Sequence, residues 1–403
     1  MDRIRRLQGS IQNYAWGSKT ALAEFSGRPS PSDEPEAELW MGAHPSAPSQ
    51  LRSEEDALPD PRLDEWIARD PLVTLGEATS ERFGGELPFL FKVLAPDRAL
   101  SIQVHPDRAQ ARAGFDRENA AGLSASAPER SYPDPNPKPE LICALTRFDA
   151  LCGFRELADI QSGLERLEIR SLAAILQALK SGGIAAGFRA ALETDVAIQR
   201  EIAEAARVRA SALAGDPACA LVSVLAEQHP GDIGILAPIW MRLISLKPGQ
   251  ALFLEAGEIH SYISGVGIEL MGNSDNVLRG GLTAKHVNVA ELCDTLTFAQ
   301  TPPRVLSAEP EKADNCSIYR TSAEEFALRV FNVSDEEPIE RGSTVSSAEI
   351  WLCSAGRARL TDKQYESTLE LARGEAAWIP ASAGPHRVEG SGVFHVASVG
   401  PTP

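Results

Sequence analysis

Paired cysteines are the first thing this sequence lacks. Its six cysteines (Cys143, Cys152, Cys219, Cys293, Cys316 and Cys353) are scattered, with no CxxC pair. That argues against a zinc knuckle or a disulfide scaffold and fits free thiols in a reducing cytosol. No run of about 18 apolar residues is present, which on sequence grounds excludes a transmembrane helix. The N-terminal MDRIRRLQGSIQNYAWG is basic but has neither an apolar core nor a small-residue cleavage site, so no secretory signal is expected. A Lys/Arg-rich stretch is also missing. With 39 basic against 56 acidic residues the net charge is −17, a field that repels nucleic acid and anionic lipid. The expectation is a cytoplasmic protein without nucleic-acid or membrane partners. An anionic substrate would need a local cluster of positive groups working against the global field.

The 403 residues, 43% apolar and 24% charged, suit two or three domains with ordinary cores. Strand patterns cover Phe89–Leu94 and Ala99–His105, joined by a turn at Ala95–Arg98, then Leu141–Gly153, then Trp240–Glu255 broken at Lys247–Gln250. Between about Glu156 and Gln228 the composition shifts to Ala, Leu, Glu, Arg and Gln. Apolar residues there recur at three- and four-residue steps (Leu172, Ile175, Leu176, Leu179), with breaks at Gly182–Gly183 and Gly215–Pro217. This predicts a helical insertion in a β domain. A second β-rich segment follows Thr301–Pro303. Gly249–His260 and Gly374–Pro380, with Gly384 and His386 nearby, share a glycine, a strand and a turn. Both resemble the second motif of the cupin superfamily, a small double-sheet barrel, and two matches suggest an internal repeat.

In Ser101–His105, polar and apolar residues alternate, so a strand would put Ser101, Gln103 and His105 on one face. Alone, the pentapeptide also suits a half-exposed edge strand, and Glu140 a surface carboxylate. Together with His260 at the cupin-like metal position and Glu140 at the end of Asp134-Pro-Asn-Pro-Lys-Pro-Glu140, they supply two imidazoles, a carboxylate and an amide oxygen. Such a set suits Zn²⁺ or a similar divalent ion. The stretch Glu269–His286 carries Asn273–Asn276, with Gly280 and Gly281 beside Arg279, and reads as a tight loop closely approached by a ligand. Arg279 and Lys285 could form the required local positive cluster, or be solvated charges on a glycine-rich loop.

Gln12–Gly17, Glu38–Pro45, Pro88–Leu94, Ser101–Pro106, Lys138–Leu141 and Ser274–Lys285 together resemble type I mannose-6-phosphate isomerase, a zinc-dependent cupin family. The resemblance implies a mainly β fold: two cupin-like double-sheet β-barrels (jelly rolls) with an α-helical insertion domain. It implies a catalytic cupin over 1–155 and 236–300, the insertion over 156–235, and a second cupin-like domain without metal over 301–403. It places one Zn²⁺ per chain on Gln103, His105, Glu140 and His260, substrate contacts at Ser101 and Lys285, and catalytic roles at Arg279, Lys138 and Glu269. The implied substrate is a small phosphosugar: mannose 6-phosphate exchanging with fructose 6-phosphate by proton transfer between C1 and C2. Two departures stand out. The family's loop usually reads Asn-His-Lys-Pro-Glu, and here it is Asn136-Pro-Lys-Pro-Glu140, so no loop histidine can act as acid or base. Glu255 replaces a usual proline, with only a local turn effect expected. A catalytically silent sugar-phosphate-binding protein and a different metal-dependent cupin enzyme, such as an iron oxygenase, are the rival readings.

Overall fold

The strand Phe89–Leu94 is buried on both sides, and period-two alternation decides what each side does. Phe89, Phe91 and Val93 join one apolar cluster with Leu7, Ile350, Leu352 and Trp378. Leu90, Lys92 and Leu94 turn to the opposite face. The neighbouring strands follow suit. Ile268, Leu270, Leu141 and Cys143 enter the same cluster, which leaves Glu269 and Glu140 beside Lys92. These observations come from a computed structural model that describes residues 3–52, 60–124, 126–311, 316–342 and 347–401.

The chain is mainly β, with three antiparallel sheets and one helical region. The first sheet runs in the order Val305–Ser307, Gln250–Leu254, Glu140–Ala144, Gly267–Gly272, Phe89–Leu94, Glu38–Met41, Ser10–Gln12. The second, of five strands, runs Leu278–Arg279, Gln103–Val104, His260–Ser264, Phe148–Phe154, Met241–Leu246. Leu94, Ile142, Phe148, Leu252 and Tyr262 pack the two sheets together. The outer side of the five-stranded sheet is covered by helices, through Leu151, Phe154 and Met241 against Leu179, Phe188 and Leu225. The third sheet, of ten strands, is mostly C-terminal, yet it includes Arg5–Gln8, paired with Ala376–Ile379, and Gln50–Arg52.

Phe89–Leu94 forms as the pattern predicts. Leu141–Gly153 resolves into two consecutive strands of different sheets, Glu140–Ala144 in the first and Phe148–Phe154 in the second, and Trp240 closes a short helix before the strands Met241–Leu246 and Gln250–Leu254. The expected strand Ala99–His105 contracts to Gln103–Val104. Leu100 N donates to Tyr262 O at 2.9 Å and Ile102 N to Gly281 O at 3.0 Å, so this stretch bonds two neighbours in turn and never builds a continuous ladder.

Helices Leu157–Arg166, Ala173–Glu193, Val196–Ala212 and Pro217–Gln228 make up the helical region, with Asp195 and Asp216 capping the last two. Gly183, at φ 72°, breaks the second of them at the anticipated glycine pair. One finding departs from the sequence reading. Arg170–Glu193, at mean hydropathy 1.2, is long and apolar enough to cross a membrane on composition alone. Here Ile175, Leu179, Ile184 and Phe188 are packed into the helical core.

The repeated motif has a matching backbone. Gly249 (φ 81°) precedes Gln250–Leu254, and His260 opens the next strand. Gly374 (φ 88°) precedes Ala376–Ile379, and His386 opens the strand that follows. All six cysteines are free.

A buried histidine marks the junction between the first and third sheets. His395 Nε2 lies 3.9 Å from Cys143 Sγ, and its Nδ1 lies 2.9 Å from Ser354 Oγ. Burial lowers the His395 pKa to about 4. The unfolded imidazole titrates near 6.5, so between those values the unfolded chain holds more protons, and stability falls as pH drops from about 6.5 towards 4. Denaturant unfolding of the zinc-loaded protein should show wild type losing roughly 2 kcal/mol more between pH 7 and pH 5 than His395→Gln does. Equal losses in the two proteins would contradict this.

Candidate functional site

Two imidazoles and a carboxylate converge between the first two sheets. His105 follows the short strand Gln103–Val104, His260 opens its own strand opposite Gln103, and Glu140 opens a strand of the facing sheet. Their ligand atoms all lie within 4.8 Å of one another, and all three residues are buried. Among the described residues this is the only such His/Cys/Asp/Glu group.

The backbone aims both rings. His105 Nδ1 is 2.8 Å from Asn276 O, and His260 Nδ1 is 3.0 Å from Glu258 O. A carbonyl only accepts, so each Nδ1 carries the proton and each Nε2 presents a lone pair. Those lone pairs face Glu140: His105 Nε2 is 3.1 Å from Oε1 and His260 Nε2 is 3.4 Å from Oε2. The His105 contact lacks hydrogen-bond geometry, which leaves its buried Nε2 without a partner. A buried acceptor with no donor, aimed at a carboxylate, is the arrangement that a divalent cation completes. Burial lowers the His105 pKa to about 4, keeping it neutral. Burial also opposes ionisation of Glu140, but Lys138 beside it draws its pKa below the usual range. Gln103 spends its amide Nε2 on Ser101 Oγ (3.1 Å), so its carbonyl oxygen is the end suited to a cation. The donor set of nitrogen and oxygen ligands fits zinc.

Lys138 is buried, and its Nζ is 3.2 Å from Glu140 Oε1. Its loop packs against Gly272, where a Cβ would stand 2.7 Å from Pro137 O, so only glycine admits the approach. Asn276, fully buried, donates its amide to Asn136 O (2.8 Å) and Asp134 O (2.9 Å), while its own carbonyl orients His105. The stretch Asn273–Asn276 also has a structural part: Ser274 and Asn276 are buried, and their hydrogen bonds tie the loop carrying Lys138 to the segment beside His105. Ser274 and Asp275 both line the cavity, with His44 Nε2 at 3.3 Å from Asp275 Oδ1.

A cavity of about 570 Å³ opens from this centre and brings together Ser101, Gln103, Lys138, Arg279 and Lys285. A small inner chamber adds Glu140, His260 and Glu269. Among the described residues neither Arg279 nor Lys285 has an ion-pair partner. Burial lowers the pKa of both, and for Lys285 the Arg279 charge lowers it further. Two cations in one cavity, neither held in an ion pair among the described residues and with Asp275 nearby, offer a place for an anion in a chain of net charge −17.

Lys92, Glu38 and Trp40 are the functional residues that sequence reasoning missed. Lys92 Nζ is 3.0 Å from Glu269 Oε2 and 3.4 Å from Glu38 Oε2, and Trp40 Nε1 donates to Glu38. Burial opposes the Lys92 charge, but Glu269 and Glu38 hold its pKa above the ordinary lysine value. Burial, with Glu140 and Glu38 nearby, pushes Glu269 up to about 7 against the pull of Lys92. A signal was present: a lysine inside the apolar run Phe-Leu-Phe-Lys-Val-Leu is seldom buried without an acidic partner.

Residues 4–157 match the model of the phosphomannose isomerase type I catalytic domain. The chain is 39% identical over 396 residues to the mannose-6-phosphate isomerase of Escherichia coli, covering 96% of this chain and 98% of that protein. It is 32% identical to that of Homo sapiens, covering 94% of each. Among solved structures, a lysine-to-alanine variant of the Salmonella typhimurium phosphomannose isomerase superposes with a TM-score of 0.90 at 35% identity, covering 99% of this chain and 100% of that one. A zinc-bound mannose 6-phosphate isomerase superposes with a TM-score of 0.89 at 36% identity and the same coverage. With two imidazoles and a carboxylate converging beside an anion subsite, and relatives this similar over nearly its whole length, the chain belongs to the type I phosphomannose isomerase family.

Proposed function

We propose that the chain's own residues divide the work of a zinc-dependent mannose-6-phosphate isomerase as follows. The protein interconverts D-mannose 6-phosphate and D-fructose 6-phosphate, and the observation that carries this reading is the convergence of the His105 and His260 lone pairs on Glu140 beside the Arg279–Lys285 cations. Gln103, His105, Glu140 and His260 hold one zinc ion. When bound, zinc polarises the substrate's carbonyl and hydroxyl oxygens as a Lewis acid. Lys285 and Ser101 bind and orient the phosphosugar. Lys138 accepts the carbon-bound proton, and Glu269 carries a proton at the neighbouring oxygens. Arg279 faces the reacting carbons and stabilises the negative charge that develops as the enediolate forms. Pro137 leaves the loop without an imidazole, so proton transfer falls to Lys138 and Glu269.

The architecture proposed with this reading is a catalytic cupin-like barrel over 1–155 and 236–300, a helical insertion over 156–235, and a metal-free cupin-like barrel over 301–403. The repeated glycine, strand and histidine at 249–260 and 374–386 supports it. A coupled assay for fructose 6-phosphate formation tests the function on zinc-loaded and chelated protein. Turnover that disappears on chelation and returns with zinc is the expected result. A zinc-loaded protein that binds mannose 6-phosphate without converting it would be a silent sugar-phosphate binder and would overturn the reading.

A further inference from the structure

We infer that Asp232, in the loop where the helical insertion rejoins the sheets, is a positioning residue that sets substrate affinity by holding Lys285. The inference rests on the reading of Lys285 as a phosphate contact. Asp232 follows the last long helix of the insertion and caps the short turn Ile233–Leu236, its Oδ1 accepting from Gly234 N at 2.7 Å. Its other oxygen crosses to the substrate loop, where Oδ2 accepts from Thr283 N at 3.0 Å. Thr283 Oγ1 then accepts from Lys285 N at 3.0 Å. Two hydrogen bonds therefore trace the Lys285 backbone directly to one carboxylate.

The backbone between them is built tightly and under strain. Leu282 is buried at φ 54°, a left-handed conformation that a side chain of this kind rarely takes unless its surroundings impose it. Gly281 and Gly234 meet backbone to backbone. A Cβ on Gly234 would stand 2.7 Å from Leu282 N, and one on Gly281 would stand 2.9 Å from Gly234 Cα. Behind this segment the packing opens. A cavity of about 840 Å³ lies between Thr283 and Ala284 on one side and Asp195 and Gln199 on the other. The loop beyond Leu282 thus has little apolar backing on that face, and the Asp232 hydrogen bonds supply the restraint.

Arg279 is held by other means. It pairs with Gln103 in the five-stranded sheet, and Gly280 N donates to Ile102 O at 2.9 Å. Loosening Asp232 should therefore displace Lys285 while leaving Arg279 and the metal ligands in place. That separation gives the inference a signature that general loss of stability does not produce: a rise in KM with kcat retained.

Three variants decide the matter, each assayed as the zinc-loaded full chain with zinc content and melting temperature recorded: Asp232→Ala, Gly234→Ala and Lys285→Ala. Gly234→Ala pushes the same loop from the opposite side and carries the test if Asp232→Ala fails to fold. The expected result for Asp232→Ala and Gly234→Ala is a KM for mannose 6-phosphate raised roughly 10-fold, with kcat within about twofold of wild type. The inhibition constant of inorganic phosphate, used as the probe of the anion subsite, should rise in parallel. If Lys285→Ala raises both constants and the two loop variants raise neither, Asp232 is merely structural and the inference fails. If Lys285→Ala itself changes neither constant, the phosphate role of Lys285 fails, and the inference fails with it for that separate reason.

Discussion

Replacing His260 by alanine is expected to abolish stoichiometric zinc binding and to reduce isomerase turnover at least ~10³-fold. The expectation follows from the geometry of the three converging groups. His260 Nε2 is 3.4 Å from Glu140 Oε2, its ring is aimed by the Glu258 carbonyl, and it opens a strand of the sheet opposite Glu140. Without it, one imidazole, one carboxylate and a weak amide oxygen remain, a poorer donor set for zinc than one holding both imidazoles. Lewis-acid polarisation is worth several kcal/mol of transition-state stabilisation, and each 1.36 kcal/mol is tenfold in rate, which sets the ~10³ scale. Atomic absorption on dialysed protein and the coupled assay read the two effects separately. Wild type should hold one zinc per chain, and His386→Ala should leave that number unchanged. A His260→Ala protein that keeps one zinc and wild-type turnover would remove it from the ligand set. A second ion on His386 would contradict the proposed metal-free C-terminal barrel.

Arg279→Ala should cost kcat roughly 10²–10³-fold, whereas Lys285→Ala should mainly raise KM. Both cations lie in one cavity six residues apart on one loop, but they occupy different supports. Arg279 pairs with Gln103, one of the proposed metal ligands, so its guanidinium starts from the strand nearest the reacting carbons. Negative charge appears there only as the proton leaves carbon, and an interaction made only then lowers the barrier. Lys285 is exposed at the far end of the loop and meets a phosphate whose charge hardly changes through the reaction. Its loss weakens ground and transition states alike. Arg279→Lys should rescue little, because an ammonium does not reproduce a planar fork. Steady-state kinetics of the three variants on mannose 6-phosphate measure this. An Arg279→Ala enzyme with kcat near wild type and a raised KM would make Arg279 a phosphate clamp and reverse the two roles.

Much of the candidate site was legible because its chemistry is carried by short segments. Gln103 and His105 stand two apart, Glu140 closes a proline-stiffened loop, and His260 ends a glycine–strand–turn unit; each is a local pattern, and it is their company that points to a metal, whereas Lys138 is singled out by the family resemblance. The helical region was legible for the same reason. Its three- and four-residue periodicity and its glycine break at Gly183 are properties of contiguous residues.

What stayed hidden depends on pairing between distant segments. That Lys92 faces Glu269 is a matter of strand register, and that register exists only once both strands are in one sheet. The length of the strand at Gln103–Val104 was overestimated because alternation cannot reveal that its flanks bond two different neighbours. That Asn276 orients His105 from 171 residues away was not legible, since a polar loop residue reads alike whether it faces a ligand or pins another side chain. Nor could composition place Arg5–Gln8 beside Ala376–Ile379. The sequence by itself therefore determined which chemical groups are present and which local elements carry them. Only the tertiary structure decided the tautomers of both histidines, the partner of Lys92 and the clamp on Lys285. Each of those rests on hydrogen bonds or charge pairs between residues far apart in the chain, whose geometry is set by packing and not by any local preference.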